Sequence, residues 1–306
     1  MQNKKISVGG QAVIEGVMMR GLDNYVVAVR KNNGIAAKRE AIKQKKRPLF
    51  KWYFFRGFIN LAEMLIIGIK SLMWSAEQAA PKGGKIGRNE LAITIFISAA
   101  FAILFFIALP YLLTNLIGIT EEKKPFLFNL VDGSIRILIF LAYIIAISFM
   151  KDVKVLFQYH GAEHKAIHCY ENGKRLNLEN VKKFTTLHPR CGTSFLLIVF
   201  VVSIIAFSIL PSIIAVYYPE FSNLSIWLRI GALFPARILL LPLVAGISYE
   251  VLKISDKRQK SLLFRAISMP GLMIQKITTK EPTNKQIEVA LYSLKRLLAI
   301  ENKRRK

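Results

Sequence analysis

Cysteine and histidine are scarce in this chain, two and four among 306 residues. Two thiols cannot supply the disulfide framework of a small secreted domain, and beside four histidines they speak for metal ligation or free thiols instead. Acidic side chains are few as well, 19 against 44 Lys and Arg, for a formal net charge of +25. Such an excess attracts phosphate backbones, yet no recognisable nucleic-acid module accompanies it, and no nucleic-acid partner is expected. No short apolar core follows a basic patch within the first fifty residues, so no secretory signal peptide is expected there. The glycine-rich run from Val8 to Gly21 lacks the G-x-G-x-x-G spacing that a dinucleotide fingerprint needs between strand and helix. No internal repeat is visible.

Long apolar runs are what the chain does have. Hydrophobic residues make up 53% of it, and they are gathered into blocks instead of recurring at a helical or strand period, which is the pattern of a membrane protein. Four stretches are long and clean enough to cross a bilayer: Leu91 to Ile117; Arg136 to Met150, extended upstream by Phe126 to Val131; Ser194 to Tyr217; and Ile226 to Leu252. Twelve of the 44 basic residues lie in 1–51, eight in 151–193 and fourteen in 252–306, against two in 118–134 and none in 218–225. By the positive-inside rule the basic segments face the cytosol, which puts both termini there and offers a basic surface to anionic lipid headgroups. The expected fold is mainly α: a polytopic membrane protein of about four transmembrane helices with an interfacial helix, a small N-terminal β-hairpin element and a cytosolic C-terminal helix.

Domain boundaries follow the same pattern. Residues 1–51 form a cytosolic β element, in which Tyr25 to Arg30 and Ile35 to Ile42 flank Lys31-Asn32-Asn33-Gly34, and Asn-Gly supplies left-handed turn residues. Residues 52–90 hold an interfacial or partly inserted helix, because Arg56, Glu63 and Lys70 recur every seven residues and put charge on one stripe. Residues 91–252 are the membrane core, including a cytosolic loop at 151–193. The tail, 253–306, begins with Leu262 to Ile274, broken by Pro270-Gly271 and skimming the bilayer, and ends in a helix from Asn284 behind a capping box of Thr283 and Gln286. The fourth span is interrupted by Gly231, Pro235, Pro242 and Gly246 and carries Arg237 near its middle. A charge there marks a functional pairing, with Glu15 or an anionic substrate group as partner. No Asp, Glu or His is expected deep in a span, which weakens a metal-ion transporter.

All four histidines and both cysteines fall within residues 158–193. If 157–171 is helical, His160, His164 and His168 climb one face with Glu163 beside them, since residues four apart are offset by roughly 40° about the axis. His160, Glu163 and His164 spell H-x-x-E-H, the inverted zincin order, in which two imidazoles hold zinc and the Glu polarises a water. His188 and Cys191 add an imidazole and a thiolate after a short loop, a donor set suited to Zn²⁺. Glu250, at the cytosolic end of the fourth span, is either a remote ligand or a water-exposed helix-end carboxylate. The candidate ligands are therefore His160, His164, His168, His188, Cys191 and Glu250. Glu163 and Arg237 are candidate catalytic groups, and Glu15 and Cys169 are further candidates. The plainer alternative is a set of backbone-bonded histidines with Cys169 and Cys191 as small buried hydrophobes.

The runs GGQAVIEGVMMRG, QYHGAEHKAIHCYE, LHPRCGTSFL, PLVAGISYE and TTKEP together resemble the bacterial YqhQ family, a domain-of-unknown-function family of integral membrane proteins described as predicted metal-dependent enzymes. The resemblance covers nearly the whole chain. It implies the bacterial cell membrane and a metal, supplies no substrate, and carries over Glu15, His160, Glu163, His164, His168, His188, Cys191 and Glu250. Two functions are open. One is a membrane-embedded zinc enzyme, a hydrolase of peptidase type acting on a peptide or membrane protein at the cytosolic face, with Glu163 as general base and Arg237 or Arg190 binding developing negative charge. The other is a non-enzymatic assembly or scaffold protein in which His164, His168, His188 and Cys191 close a structural tetrahedral site.

Overall fold

A computed structural model describes residues 6–42, 53–80, 87–120, 124–258 and 261–303. The junction at 43–52 between the first two expected domains lies outside them. Four strands lead, β1 Gly9–Val13, β2 Gly16–Arg20, β3 Asn24–Lys31 and β4 Gly34–Ala41, as an antiparallel meander in chain order. The expected hairpin is the β3–β4 pair, which pivots with Gly34 at φ 134°. The glycine-rich run before it makes a second hairpin, β1–β2, turning at Ile14-Glu15 with Glu15 at φ 51°. Its five-residue strands carry three glycines, and so few side chains leave no alternation to read.

Among the described residues the helices are α1 Tyr53–Ala79, α2 Arg88–Ile103, α3 Leu109–Leu116, α4 Pro125–Ser148, α5 Lys151–Glu171, the short α6 Leu178–Lys182, α7 Gly192–Tyr217, α8 Ile226–Lys257, α9 Leu262–Thr278 and α10 Asn284–Lys303. A π-helical turn, Leu104–Ala108, joins α2 to α3. Five helical stretches among the described residues are long and apolar enough to cross a membrane: Gly57–Ala79, Ala92–Leu116, Phe126–Ser148, Gly192–Pro211 and Gly231–Ser255. Large apolar side chains such as Phe96, Leu138, Val201 and Leu239 are exposed along them, which suits lipid as solvent.

The two central strands, β2 and β3, are buried on both faces of the sheet. Successive side chains of a strand point to opposite sides, so Val17, Met19, Val26 and Ala28 meet Tyr159, Ala162 and Ala166 of α5 and Ile287, Ala290, Leu294 and Leu297 of α10. Met18, Tyr25, Val27 and Val29 point the other way, to Met64, Ile67 and Leu72 of α1. Complete burial of side chains such as Leu294 and Ile287 contributes about 1.5–3 kcal/mol each. The expected capping box starts α10: Thr283 N–H donates to Gln286 Oε1 at 2.8 Å and Gln286 N–H to Thr283 Oγ1 at 3.4 Å. At the turn from β2 into β3, Glu301 Oε1 accepts from the N–H groups of Asp23 and Asn24 at 3.1 and 2.8 Å and from Asn24 Nδ2 at 3.1 Å.

Two expectations need correcting. α4 runs unbroken from Pro125, so Asp132 does lie inside an apolar span, ion-paired with Arg136 one turn later at 2.8 Å. The pair offsets its own charge, which is why the surrounding run remains apolar enough to read as a span. α9 does not break at Pro270-Gly271 but continues through it. A Cβ on Gly271 would lie 2.4 Å from Ser194 Oγ, so the glycine lets α9 seat closely on α7, and that packing outweighs the lost backbone bond.

Candidate metal centre

α5 divides its residues between two jobs. Tyr159, Ala162, Ala166 and Cys169 share the face that packs on the sheet and α10, and the opposite face carries the histidines toward residues 185–191 and the end of α9. There, backbone carbonyls hold each ring. His160 Nδ1 donates to Thr278 O at 2.8 Å, His164 Nδ1 to Thr186 O, and His168 Nε2 to Leu187 O at 2.8 Å. A carbonyl oxygen only accepts, so the bonded nitrogen bears a proton, and in a neutral ring the other nitrogen keeps its lone pair. Close approach of the 279–283 segment is needed for this. Lys280 N–H donates to Phe157 O at 2.9 Å, and a Cβ on Gly161 would sit 2.1 Å from Lys280 O.

The four imidazoles form a row in the order His160, His164, His188, His168, with ring centres 4.4, 5.5 and 4.5 Å apart. They divide into two groups of potential ligands, His160–His164–Cys191 and His168–Glu171–His188, the atoms of each lying within 4.8 Å of one another. The groups differ in what they offer a cation. In the first, the Nε2 lone pairs of His160 and His164 converge with Cys191 Sγ, which is 3.3 Å from His160 Nε2. Tetrahedral zinc with N and S ligands requires ligand atoms about 3.3–3.6 Å apart; the Cys191–His160 pair meets that spacing, and the donor types of the set suit the ion. In the second, Arg190 N–H occupies His188 Nδ1 at 3.2 Å, Glu171 accepts from His188 Nε2 at 3.3 Å, and Arg190 pairs with the same carboxylate. That group is already internally satisfied.

Glu163 adjoins the first group. It is 4% exposed, and its Oε2 lies 3.5 Å from His164 Nε2. Gly10 of β1 covers it so closely that a Cβ there would be 2.6 Å from Glu163 Oε1. Burial pushes the carboxyl up from 4.5 to about 7, with His160 opposing and Cys191 reinforcing the shift. Burial also drives His164 well below its ordinary value, with His160 adding to the effect, and lowers His168. The Cys191 thiol is pushed up by burial, against Thr193 and the N–H groups of residues 192–194 at the start of α7. Burial thus favours neutral rings at His164 and His168, and the Cys191 thiol stands at a helix N-terminus, where a thiolate is favoured once a cation is near.

The remaining candidates lie elsewhere. Glu250 belongs to neither group. Glu15 accepts from the Tyr159 hydroxyl at 3.2 Å, and Arg237 donates to Asn129 Oδ1 at 3.4 Å, so the suggested Glu15–Arg237 pairing is replaced by these two contacts. Cys169 is a core residue whose Sγ donates to Arg175 O at 3.6 Å. Sequence reasoning missed three supports: the carbonyls of Thr186 and Thr278, Gly10 over Glu163, and Gln275. The fully buried Gln275 accepts from His188 N–H at 2.7 Å and donates to His188 O at 2.9 Å and Ser194 Oγ at 3.0 Å. A glutamine inside the apolar face of α9 was the one signal available for it.

Fold and site together define a largely helical protein of membrane type, in which a small sheet and two helices frame a His–His–Cys group beside a buried carboxyl. The chain belongs to the family described as "Protein of unknown function (DUF1385)", which matches residues 52–300. It is similar to the "Uncharacterized protein YqhQ" of Bacillus subtilis (strain 168), with 32% identity over 311 residues, covering 96% of this chain and 92% of that protein. No solved structure matches it.

Proposed function

We propose that the protein is a zinc-dependent hydrolase of peptidase type, held at the cytosolic face of the bacterial cell membrane by four crossing helices. The sheet and α5 share one core, so an even number of crossings must separate them. Three candidates intervene: α1, the α2–α3 segment and α4. α1 is the one fastened to the sheet, by Glu63 to Arg20, by Ser75 Oγ accepting from Ile14 N–H at 3.1 Å, and by Ile67 in the core. Its Leu65, Ile66 and Ile69 are exposed, as suits a helix lying in the interface. α7 and α8 then return the chain to the side where α10 meets α5. The basic segments 151–193 and 252–306 argue that this side is cytosolic and faces anionic headgroups.

The observation that carries the catalytic reading is the convergence of His160 Nε2, His164 Nε2 and Cys191 Sγ next to the buried Glu163. Three protein ligands with a fourth position open is the arrangement of catalytic zinc, which acts as a Lewis acid toward water and a carbonyl oxygen. His160 is only partly buried, which leaves an approach for substrate. Glu163, whose buried carboxyl titrates at about 7 and would be drawn to its charged form by a cation beside it, takes the proton from the attacking water as carboxylate and gives it to the leaving nitrogen as the C–N bond breaks. The structural alternative is less supported, because its tetrad of His164, His168, His188 and Cys191 is divided between the two groups.

The test is metal content and turnover on protein purified in dodecyl maltoside without chelator. The wild type should carry about one zinc per chain and cleave members of a peptide library. His160→Ala and Cys191→Ala should lose the metal, whereas Glu163→Gln should keep it and cleave nothing. A Glu163→Gln variant that cleaves as the wild type does, or a wild type that binds no added zinc, would remove the reading.

A further inference from the structure

Remote from the histidines, α4 carries Asn129, Asp132, Gly133 and Arg136 at positions i, i+3, i+4 and i+7, one helical face. That face and Arg237 of α8 line a cavity of about 400 Å³ between α3, α4, α7 and α8. The rest of its wall is aromatic and aliphatic, including Phe128, Phe200 and Phe207. Asp132 and Arg136 form an ion pair at 2.8 Å, Arg237 donates to Asn129, and its guanidinium lies 5.8 Å from the centre of the Phe207 ring. Each arginine stands eleven residues past the first residue of its helix, roughly 16 Å along the axis, well inside an apolar span.

Among the described residues the cavity wall therefore holds two guanidiniums and one carboxylate, a formal surplus of one positive charge in an apolar setting. Arg136 Nε is buried there without a hydrogen-bond partner among the described residues. Charge at such depth is costly and is retained where something pairs with it. Guanidinium recognises carboxylate and phosphate through two parallel N–H donors. An apolar chamber of this size is in the range of small-molecule sites. We propose that this cavity binds an amphiphile, its compact anionic head, carboxylate or phosphate, set between Arg136 and Arg237 and its aliphatic tail along the phenylalanines. One negative charge balances the wall. The site is separate from the histidine groups and does not depend on the hydrolase reading.

The experiment is native mass spectrometry and thermal unfolding of the full chain in dodecyl maltoside, with oleate, phosphatidylglycerol or phosphatidylcholine added. Oleate or phosphatidylglycerol should bind and raise the unfolding temperature, and which of them does so separates a fatty acid from a phospholipid source; phosphatidylcholine should do neither. Arg136→Gln with Arg237→Gln should weaken anionic binding at least about tenfold. Asp132→Asn guards against a variant that simply misfolds: removing the competing carboxylate should tighten the anionic probe several-fold, a gain that damage cannot produce. Equal binding of phosphatidylcholine, unchanged binding by the double variant, or no gain with Asp132→Asn would overturn the proposal.

Discussion

In zinc-free protein, Glu163→Gln should stabilise the fold in a pH-dependent way whose size follows from the carboxyl's surroundings. Folded, the group holds its proton up to about 7, against 4.5 when solvated. Between those values the native state is protonated and the unfolded chain is not. The native state then binds more protons, so stability falls as pH rises, by 1.36 kcal/mol per pH unit. Across the interval the loss sums to about 3 kcal/mol and grows no further above it. An uncharged amide of the same shape has no such slope. The assay is unfolding by sodium dodecyl sulfate titration in the presence of chelator, followed by the fluorescence of Trp74, which packs against the sheet. The variant-minus-wild-type difference should be near zero below about pH 4 and approach about 3 kcal/mol by about pH 8. Saturating zinc should shrink it, because a cation beside the carboxyl favours its charged form. A difference that is flat over this range would refute the burial argument.

Three further outcomes are expected. Gly161→Ala drives a Cβ to within 2.1 Å of Lys280 O; it should cost about 1–3 kcal/mol and weaken zinc binding at least about tenfold by loosening the His160–Thr278 contact, measured by denaturation and calorimetric titration. Glu301→Ala leaves three donors at Asp23 and Asn24 without their acceptor; it should cost about 3 kcal/mol in the same denaturation while leaving zinc content unchanged. Cys169→Ala should retain full zinc, costing about 1 kcal/mol for lost packing, whereas Cys191→Ala should lose it. Equal zinc loss in both would mean the two thiols share a site, contrary to their placement.

How much of this was legible in the sequence depends on the range of the interactions. The α5 face was, because His160, Glu163 and His164 repeat at the helical period and a single helix places them without outside help. Two of the apolar spans were, since Leu91 to Ile117 and Ser194 to Tyr217 carry no charge at all. The β1–β2 hairpin was not, for Gly9, Gly10 and Gly16 carry no side chains to alternate. Nor was the division of the histidines into two groups: it is decided by Arg190 N–H occupying His188 Nδ1 and by Thr278 O, 118 positions along the chain from His160. TTKEP stood out only through resemblance. Its role appears when Thr278 holds His160, Lys280 bonds to Phe157 O and Glu281 pairs with Lys165 across the back of the same helix. Asp132 escaped notice as an acid within a span because the sequence shows two apolar pieces, 126–131 and 136–150, and it falls in the gap that α4 runs through.

The docking of α10 on the sheet sets an order of events during synthesis. Val26 and Ala28 emerge from the ribosome early, yet the helix that covers them, with Ser293 Oγ bonded to Val26 O at 2.9 Å, is made only after every hydrophobic helix has been translated. The hydrolytic apparatus we infer would accordingly be assembled last, after the chain has been delivered to the bilayer, and a nascent chain stopped short of Asn284 should be membrane-bound yet readily digested by protease across its strands.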